Sequence, residues 1–154
     1  MGYSMGAQLA IRLMHDAPGR VRRAVLGGLG ENYFRFSKER ADIIARGLLA
    51  KDPAKISDSM AKEFRVFCEK AGDDLLAMAA CIRRPRQIFS AEELHAFPQP
   101  VLVACGAEDN LIASPEPLAR AFRDGRLVII PKRNHHSTVG DRGYKDAVVA
   151  FLAS

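Results

Sequence analysis

The sequence predicts a protein of the α/β class, with three parallel strands joined by crossover helices and a helical insertion. Three observations predict this class. Apolar runs with strand character begin at Val21, Val101 and Leu127. Helical patterns alternate with these runs, and the long stretch between Gly28 and Pro98 contains helical patterns only. The alternation favours a parallel sheet, because parallel strands need a crossover connection.

The first predicted helix spans residues 5–16. Its residues are nearly all apolar or helix-forming, while Gln8, Arg12 and His15 recur at helical spacing. This spacing predicts a single polar stripe on an otherwise buried helix. A Pro-Gly pair ends the helix, and the apolar run at 21–26 that follows is typical of a buried parallel strand.

The stretch after the first strand predicts three amphipathic helices, at 36–50, 56–71 and 73–82, separated by proline and glycine. A helical insertion of this length predicts a domain of its own. We therefore expect a core made of residues 1–30 and 98–154, and a helical cap or lid made of residues 31–97.

Strands and helices alternate again in the last third of the chain. Each predicted helix is preceded by a residue suited to cap its first turn. The strands are predicted at 101–105 and 127–130, and the helices at 115–122 with Ser114 as N-cap and at 142–152 with Asp141 as cap.

A G-x-S-x-G pentapeptide surrounds Ser4. This motif is typical of a sharp strand-to-helix turn that holds a serine hydroxyl at the edge of a sheet. Gly2 and Gly6 let the strand and the helix approach where a Cβ would clash. The sequence shows the helix but no strand before Ser4, and the alternative role of Ser4 is a simple N-cap for the first helix.

An acidic residue and a histidine follow the last two predicted strands. Asp109 comes just after the first of them, with Glu108 as the alternative acid, and His135 and His136 follow the second. A serine hydroxyl becomes nucleophilic when an imidazole takes its proton and a carboxylate orients that imidazole. Ser4 therefore has candidate partners in the right chemical classes.

These three motifs resemble those of the serine α/β hydrolases, and the chain resembles the C-terminal portion of that fold from the nucleophile elbow to the final helix. The order Ser4, Asp109, His135 matches the family's order of nucleophile, acid and base. The tetrapeptide GAED that ends at Asp109 resembles the G-x-x-D after the seventh strand. Asn134 and His135, followed by a Val-Gly pair, resemble the histidine loop, and the resemblance favours His135 over His136 as the base.

The resemblance implies a hydrolase that cleaves an ester or similar acyl compound through an acyl-Ser4 intermediate. It does not separate ester from thioester, amide, carbon–carbon or perhydrolase chemistry. The Met5 amide would be one donor of the oxyanion hole, while the family's second donor comes from a loop that this chain does not contain. The alternative is a catalytically inert fragment or a non-enzymatic binding protein with the same fold.

The missing strand before Ser4 predicts that the front part of the fold has been lost. A sheet cut at this point would have an unpaired edge, and exposed edges favour association. We therefore expect self-association through that edge.

The resemblance also implies that the helical insertion is a lid over the serine. Apolar side chains of the insertion are candidates to line a pocket, although packing inside the lid is the expectation for any single one of them. These candidates are Tyr33, Phe34, Phe36, Met60, Phe64, Phe67 and Met78.

Composition limits the other functions. The net charge of +5 is spread along the chain without a nucleic-acid motif, so we expect a small-molecule acyl substrate and no nucleic-acid partner. No His, Cys and carboxylate set has metal-ligand spacing, so we expect no metal and no cofactor. His15, on the polar stripe of the first helix, and His95, in a loop-like stretch, are expected to be surface residues.

The cysteines bear on the compartment of the protein. Cys68, Cys81 and Cys105 form an odd set without the spacing of a disulfide framework. Reduced thiols are typical of the cytoplasm. No signal peptide or membrane-length apolar run is evident in the sequence, so we expect a cytoplasmic protein without a membrane partner.

Overall fold

The computed structural model describes residues 1–35 and 37–154, and the chain divides into two compact units. The first unit comprises residues 1–35 and 87–154, and the second comprises residues 36–86. Phe36, the predicted start of a helix and a candidate pocket residue, lies outside the described residues.

The described residues of the first unit form a four-stranded parallel sheet, in which the strands follow one another in chain order. The α/β class with a parallel sheet is therefore confirmed. The strands are β1 at Gly2–Tyr3, β2 at Ala24–Gly27, β3 at Val101–Gly106 and β4 at Gly125–Ile130.

The sheet contains one strand more than the three predicted. Gly2 lies opposite Leu26 and Tyr3 lies opposite Gly27, so a short strand does precede Ser4. The sequence pattern did not indicate β1, because two residues are too few to show either alternation or an apolar run. Within the described part of the chain, β1 forms one edge of the sheet.

Helices alternate with the strands of the sheet in the first unit, and helices alone make up the regular structure of the second. In the described residues the α-helices are α1 at Met5–Asp16, α2 at Lys38–Leu48, α3 at Ser59–Ala71, α4 at Leu75–Arg83, α5 at Ala91–His95, α6 at Glu116–Ala121, α7 at His135–Thr138 and α8 at Arg142–Ala153.

Side chains of β3 alternate between two apolar layers. Val101 and Val103 pack in the layer that contains buried residues of α1, α5 and α6. Leu102 and Ala104 pack in the layer that contains Tyr144 and other residues of α8. The sheet is thus buried between helices on its two faces, as parallel sheets normally are.

The exposed surface of α1 differs from the prediction. The helix buries Ala7, Ile11 and Met14, but Leu9 and Leu13 are 45% and 50% exposed. The polar stripe is therefore accompanied by an exposed apolar stripe. The helix bounds themselves agree with the predicted 5–16.

Two local predictions in the C-terminal part are corrected by the structure. Pro115, not Ser114, is the N-cap of α6, and the Ser114 hydroxyl hydrogen-bonds the carboxylate of Glu116 instead of a backbone N–H. His95 lies at the end of α5, where a loop was expected. The predicted cap of α8 is present, because the Asp141 carboxylate accepts from the Gly143 N–H at 2.7 Å.

The second unit is a cluster of three helices. Ile44 and Leu48 of α2 are buried with Cys68 of α3 and Ala79 of α4. Three of the candidate pocket residues, Met60, Phe64 and Met78, pack against this cluster. Their packing inside the unit is what we expected for single members of the candidate set.

None of the helices in the described residues is long and apolar enough to cross a membrane.

Candidate active site

The predicted catalytic residues follow strand ends at one edge of the sheet. Ser4 follows β1 directly, Asp109 lies shortly after β3, and His135 begins α7 shortly after β4. Because the strands are parallel, their carboxyl ends meet at the same edge. This edge is where open α/β sheets bind their ligands.

Ser4 has a backbone conformation that is costly for a residue with a side chain. Its φ is 51° and its ψ is −113°. Such angles cost about 1–3 kcal/mol and are concentrated at functional sites. The Ser4 side chain makes no capping hydrogen bond to α1, so the simple N-cap alternative lacks its defining contact. The geometry is that of the strained turn predicted from the G-x-S-x-G motif.

Asp109 and His135 form a buried pair. The Nδ1 atom of His135 lies 2.8 Å from Oδ2 of Asp109, and the two side chains are 12% and 0% exposed. The second carboxylate oxygen of Asp109 accepts the N–H of Leu111 at 3.1 Å. A carboxylate held in this way can orient the imidazole and stabilise its cation.

The alternative acid and base lie elsewhere. Glu108 is exposed, and its backbone N–H donates to the Arg133 carbonyl oxygen at 2.9 Å. His136 is exposed as well, with its ring almost perpendicular to that of His135 at a centroid distance of 5.6 Å. The structure therefore brings Asp109 together with His135, and not with the adjacent histidine.

The glycine pair Gly27 and Gly28, at the end of β2, lies next to both the elbow and the histidine loop. The Ser4 N–H donates to the Gly27 carbonyl oxygen at 2.8 Å. Gly28 has a φ of 58°, and a Cβ on it would lie 3.0 Å from Cε1 of His135. Ser4 and His135 are therefore both neighbours of this dipeptide, although they are far apart in the sequence.

The N-terminus of α1 offers a donor for an oxyanion. Met5 is the first residue of α1, and the first N–H groups of a helix have no acceptor within it. Among the described residues, the Met5 N–H has no hydrogen-bond acceptor. The helix dipole adds to the attraction for a negative charge at this position.

Two residues at the site were not singled out from the sequence. Tyr3 donates its hydroxyl to the carbonyl oxygen of His135 at 2.6 Å. Asn32 bridges the loop after β2 and the acid loop, because its Nδ2 donates to the Leu111 carbonyl oxygen at 3.2 Å. The position of Tyr3 next to Ser4 in the sequence could have indicated that Tyr3 lies at the site. No feature of the sequence around Asn32 indicated its contact with Leu111.

The remaining candidates of the sequence behave as surface or core residues. His15 and His95 are exposed, and His15 lies 2.8 Å from the carboxylate of Asp16. Cys105 is buried at the end of β3, and burial raises the pKa of its thiol to about 11. Cys105 is therefore protonated at neutral pH and would be a weak nucleophile.

Comparison of the sequence finds no matching protein-family model and no matching curated protein. Comparison of the structure does find matches. A hydrolase from Pseudomonas aeruginosa superimposes with a TM-score of 0.73 and 24% identity over 99% of this chain and 63% of that one. The Rv0554 protein from Mycobacterium tuberculosis gives a TM-score of 0.70 and 23% identity over 99% of this chain and 64% of that one.

A meta-cleavage product hydrolase from Pseudomonas fluorescens gives a TM-score of 0.57 and 21% identity, again over 99% of this chain and 63% of the other. The present chain thus spans less than two thirds of the length of each of these structures. The chain therefore shares the α/β-hydrolase fold of these structures over the part of them that it covers.

Proposed function

We propose that the protein is a serine hydrolase that acts on an ester or similar acyl compound. Ser4 would attack the acyl carbon, and water would then hydrolyse the acyl-Ser4 intermediate with His135 as base. The observation that carries this proposal is the buried Asp109–His135 pair, at 2.8 Å, on the sheet edge where Ser4 has its strained elbow conformation.

The proton transfers follow from the way in which the imidazole is held. With Nδ1–H donated to Asp109, the free Nε2 is the atom that accepts a proton from the Ser4 hydroxyl. The resulting imidazolium is stabilised by the carboxylate and returns the proton to the leaving group. Water attacks the acyl intermediate by the same route, with Nε2 as the acceptor.

The developing negative charge on the substrate oxygen needs donors. The Met5 N–H, at the N-terminus of α1, is well suited as one of them. Each donor of this kind typically contributes about 10²–10³ in turnover. A donor at Met5 supports attack on a carbonyl carbon, since that reaction generates the oxyanion.

The substrate class is proposed from chemistry alone. The same acyl-serine chemistry can serve esters, thioesters and amides, and one structure with this fold is named a meta-cleavage product hydrolase. We propose an ester as the first class to test because its alcohol leaving group needs less activation than the amine of an amide. Carbon–carbon substrates are the second class.

We propose that the helical stretch 31–97, which includes the second unit at residues 36–86, is the lid that selects the substrate. Outside its buried cluster this unit exposes large apolar side chains, of which Leu76 is 69% and Val66 is 40% exposed. Apolar surface of this kind suits contact with an acyl chain. We also propose a cytoplasmic location, which the three free cysteines support.

Labelling with a fluorophosphonate probe tests the proposed function, since the probe reacts with an activated serine. We expect labelling of the wild-type chain and its loss in the Ser4→Ala and His135→Ala variants. His136→Ala is the matched control, and it should be labelled like the wild type. Absence of labelling in a folded wild-type chain would favour the alternative, an inert or purely binding protein.

A further inference from the structure

We propose that Tyr3 is a positioning residue for the base His135. The inference rests on the proposed function, because it assigns a role toward the same triad. The Tyr3 hydroxyl donates to the His135 carbonyl oxygen at 2.6 Å, and this hydrogen bond joins residues 132 positions apart in the chain. It connects the residue before the nucleophile with the main chain of the base.

The ring of Tyr3 is held on several sides. Its centroid lies 5.4 Å from the His135 ring and 5.9 Å from the Tyr144 ring, to which it is nearly perpendicular. A Cβ on Gly27 or Gly28 would lie only 2.5 Å or 2.7 Å from the Tyr3 ring. The space for this ring therefore exists only because Gly27, the last residue of β2, and Gly28 both lack side chains.

The hydroxyl of Tyr3 remains a donor at the pH values where a histidine base acts. Burial raises its pKa above the ordinary value of 10, more than the neighbouring Thr138 hydroxyl lowers it, and the Asp109 carboxylate adds to the rise. Ionised Tyr3 could not donate to a carbonyl oxygen. The link to His135 is thus maintained throughout the neutral pH range.

The carbonyl that Tyr3 holds belongs to a short element. His135 is the first residue of α7, a helix of 4 residues, which is capped by Asn134. A helix this short has little stability of its own, so tertiary contacts determine its position. By fixing the His135 main chain, Tyr3 keeps Nδ1 within hydrogen-bond distance of Asp109. Tyr3 is also the last residue of β1, the strand that Ser4 follows directly.

Tyr3→Phe tests the inference, with Tyr144→Phe as the matched control. Tyr144 is equally aromatic and almost fully buried, but its hydroxyl has no hydrogen-bond partner among the described residues. The first readout is the far-downfield proton resonance of His135 Nδ1–H and its exchange with water. We expect exchange to be about three- to tenfold faster in Tyr3→Phe, because removing one hydrogen bond typically changes an equilibrium constant by about this factor. Exchange should be unchanged in Tyr144→Phe.

The second readout is the rate of fluorophosphonate labelling, which should fall by a similar factor of about three to ten in Tyr3→Phe alone. Cooperative urea unfolding of both variants verifies that they are folded. Should Tyr3→Phe unfold, the exchange rate is measured instead in a protein that carries 3-fluorotyrosine at position 3. This residue keeps the hydroxyl donor, so the exchange rate must stay at the wild-type value.

The two readouts separate this inference from the proposed function. The Nδ1–H resonance does not depend on a reactive Ser4, so altered exchange in Tyr3→Phe without any labelling would overturn the function and leave the positioning role intact. Unchanged exchange and labelling in a folded Tyr3→Phe protein would overturn the positioning role. Absence of the resonance in the wild type would overturn it as well, since there would be no pairing to position.

Discussion

A Cβ on Gly2 would lie 2.0 Å from the carbonyl oxygen of Gly6. Contacts this short between a Cβ and a backbone atom do not occur, so β1 and α1 can approach as they do only with glycine at position 2. Gly6, in contrast, has open space around its Cα: apart from the nearby backbone of α1 itself, a Cβ there would have no described atom within 4 Å. The two glycines of the elbow motif therefore have different roles in this chain.

Replacing each glycine by alanine should show this difference. Gly2→Ala should lower the free energy of unfolding by about 3 kcal/mol or prevent folding, because backbone atoms must move to admit the methyl group. Gly6→Ala should be neutral or stabilising by up to ~1 kcal/mol, since alanine favours the helix. Urea unfolding of the two variants measures both effects, and equal destabilisation would contradict the assignment.

The choice of Asp109 as the acid predicts a large kinetic effect. Asp109→Asn should lower the rate of fluorophosphonate labelling by about 10³–10⁴-fold, because an amide cannot hold His135 in the tautomer that the reaction needs. Glu108→Gln is the matched control at the adjacent, exposed position and should retain the wild-type rate. If the Glu108 variant were the slower one, the acid would have been assigned to the wrong residue.

The exposed apolar stripe of α1, together with the edge strand β1, predicts self-association. Leu13 is 50% exposed, and we expect Leu13→Lys to shift the protein toward monomer in sedimentation velocity across a range of concentrations. Val149 on α8 is 65% exposed, and Val149→Lys should leave the association unchanged. A wild-type chain that stays monomeric at all concentrations would argue against an association surface here.

The cap of α8 predicts a dependence of stability on pH. The hydrogen bond from Arg133 is the main reason that the pKa of the Asp141 carboxyl lies below its ordinary value of 3.8. Because the folded-state pKa is the lower one, the ionised carboxylate stabilises the protein above the unfolded-state pKa, and this contribution is lost as the pH falls through the folded-state pKa.

Asp141→Asn isolates this contribution, since asparagine is also a good N-cap. The difference in the free energy of unfolding between wild type and variant should be constant above about pH 5 and should shrink as the pH is lowered further. Asp146→Asn, on the exposed face of the same helix, serves as the control and should show a small difference at every pH. If the difference in the free energy of unfolding between wild type and Asp141→Asn did not change with pH, the assigned role of the Asp141 carboxylate would be wrong.

Much of the fold follows from local patterns in the chain. The bounds of α1 were predicted correctly from the run of helix-forming residues and the Pro-Gly pair that ends it. Strand β3 was predicted to within one residue, because a buried parallel strand is a continuous apolar run. Strand β1 was not, since only its pairing with β2 makes two residues a strand.

The roles of the site residues were inferred from their order along the chain and stay predictions until activity is measured. The sequence by itself determined that a G-x-S-x-G serine precedes a helix and that an acid and a histidine each follow a predicted strand. These are properties of short segments, which depend on composition and on backbone preference near glycine and proline.

Only the tertiary structure decided between neighbours in the sequence. Asp109 and not Glu108 contacts the histidine, and His135 and not His136 is the histidine contacted. The tertiary structure also places the Tyr3 hydroxyl against the His135 carbonyl oxygen and leaves Leu13 exposed on α1. Adjacent residues have nearly the same local pattern, so their contacts depend on how distant segments pack, which no local preference specifies.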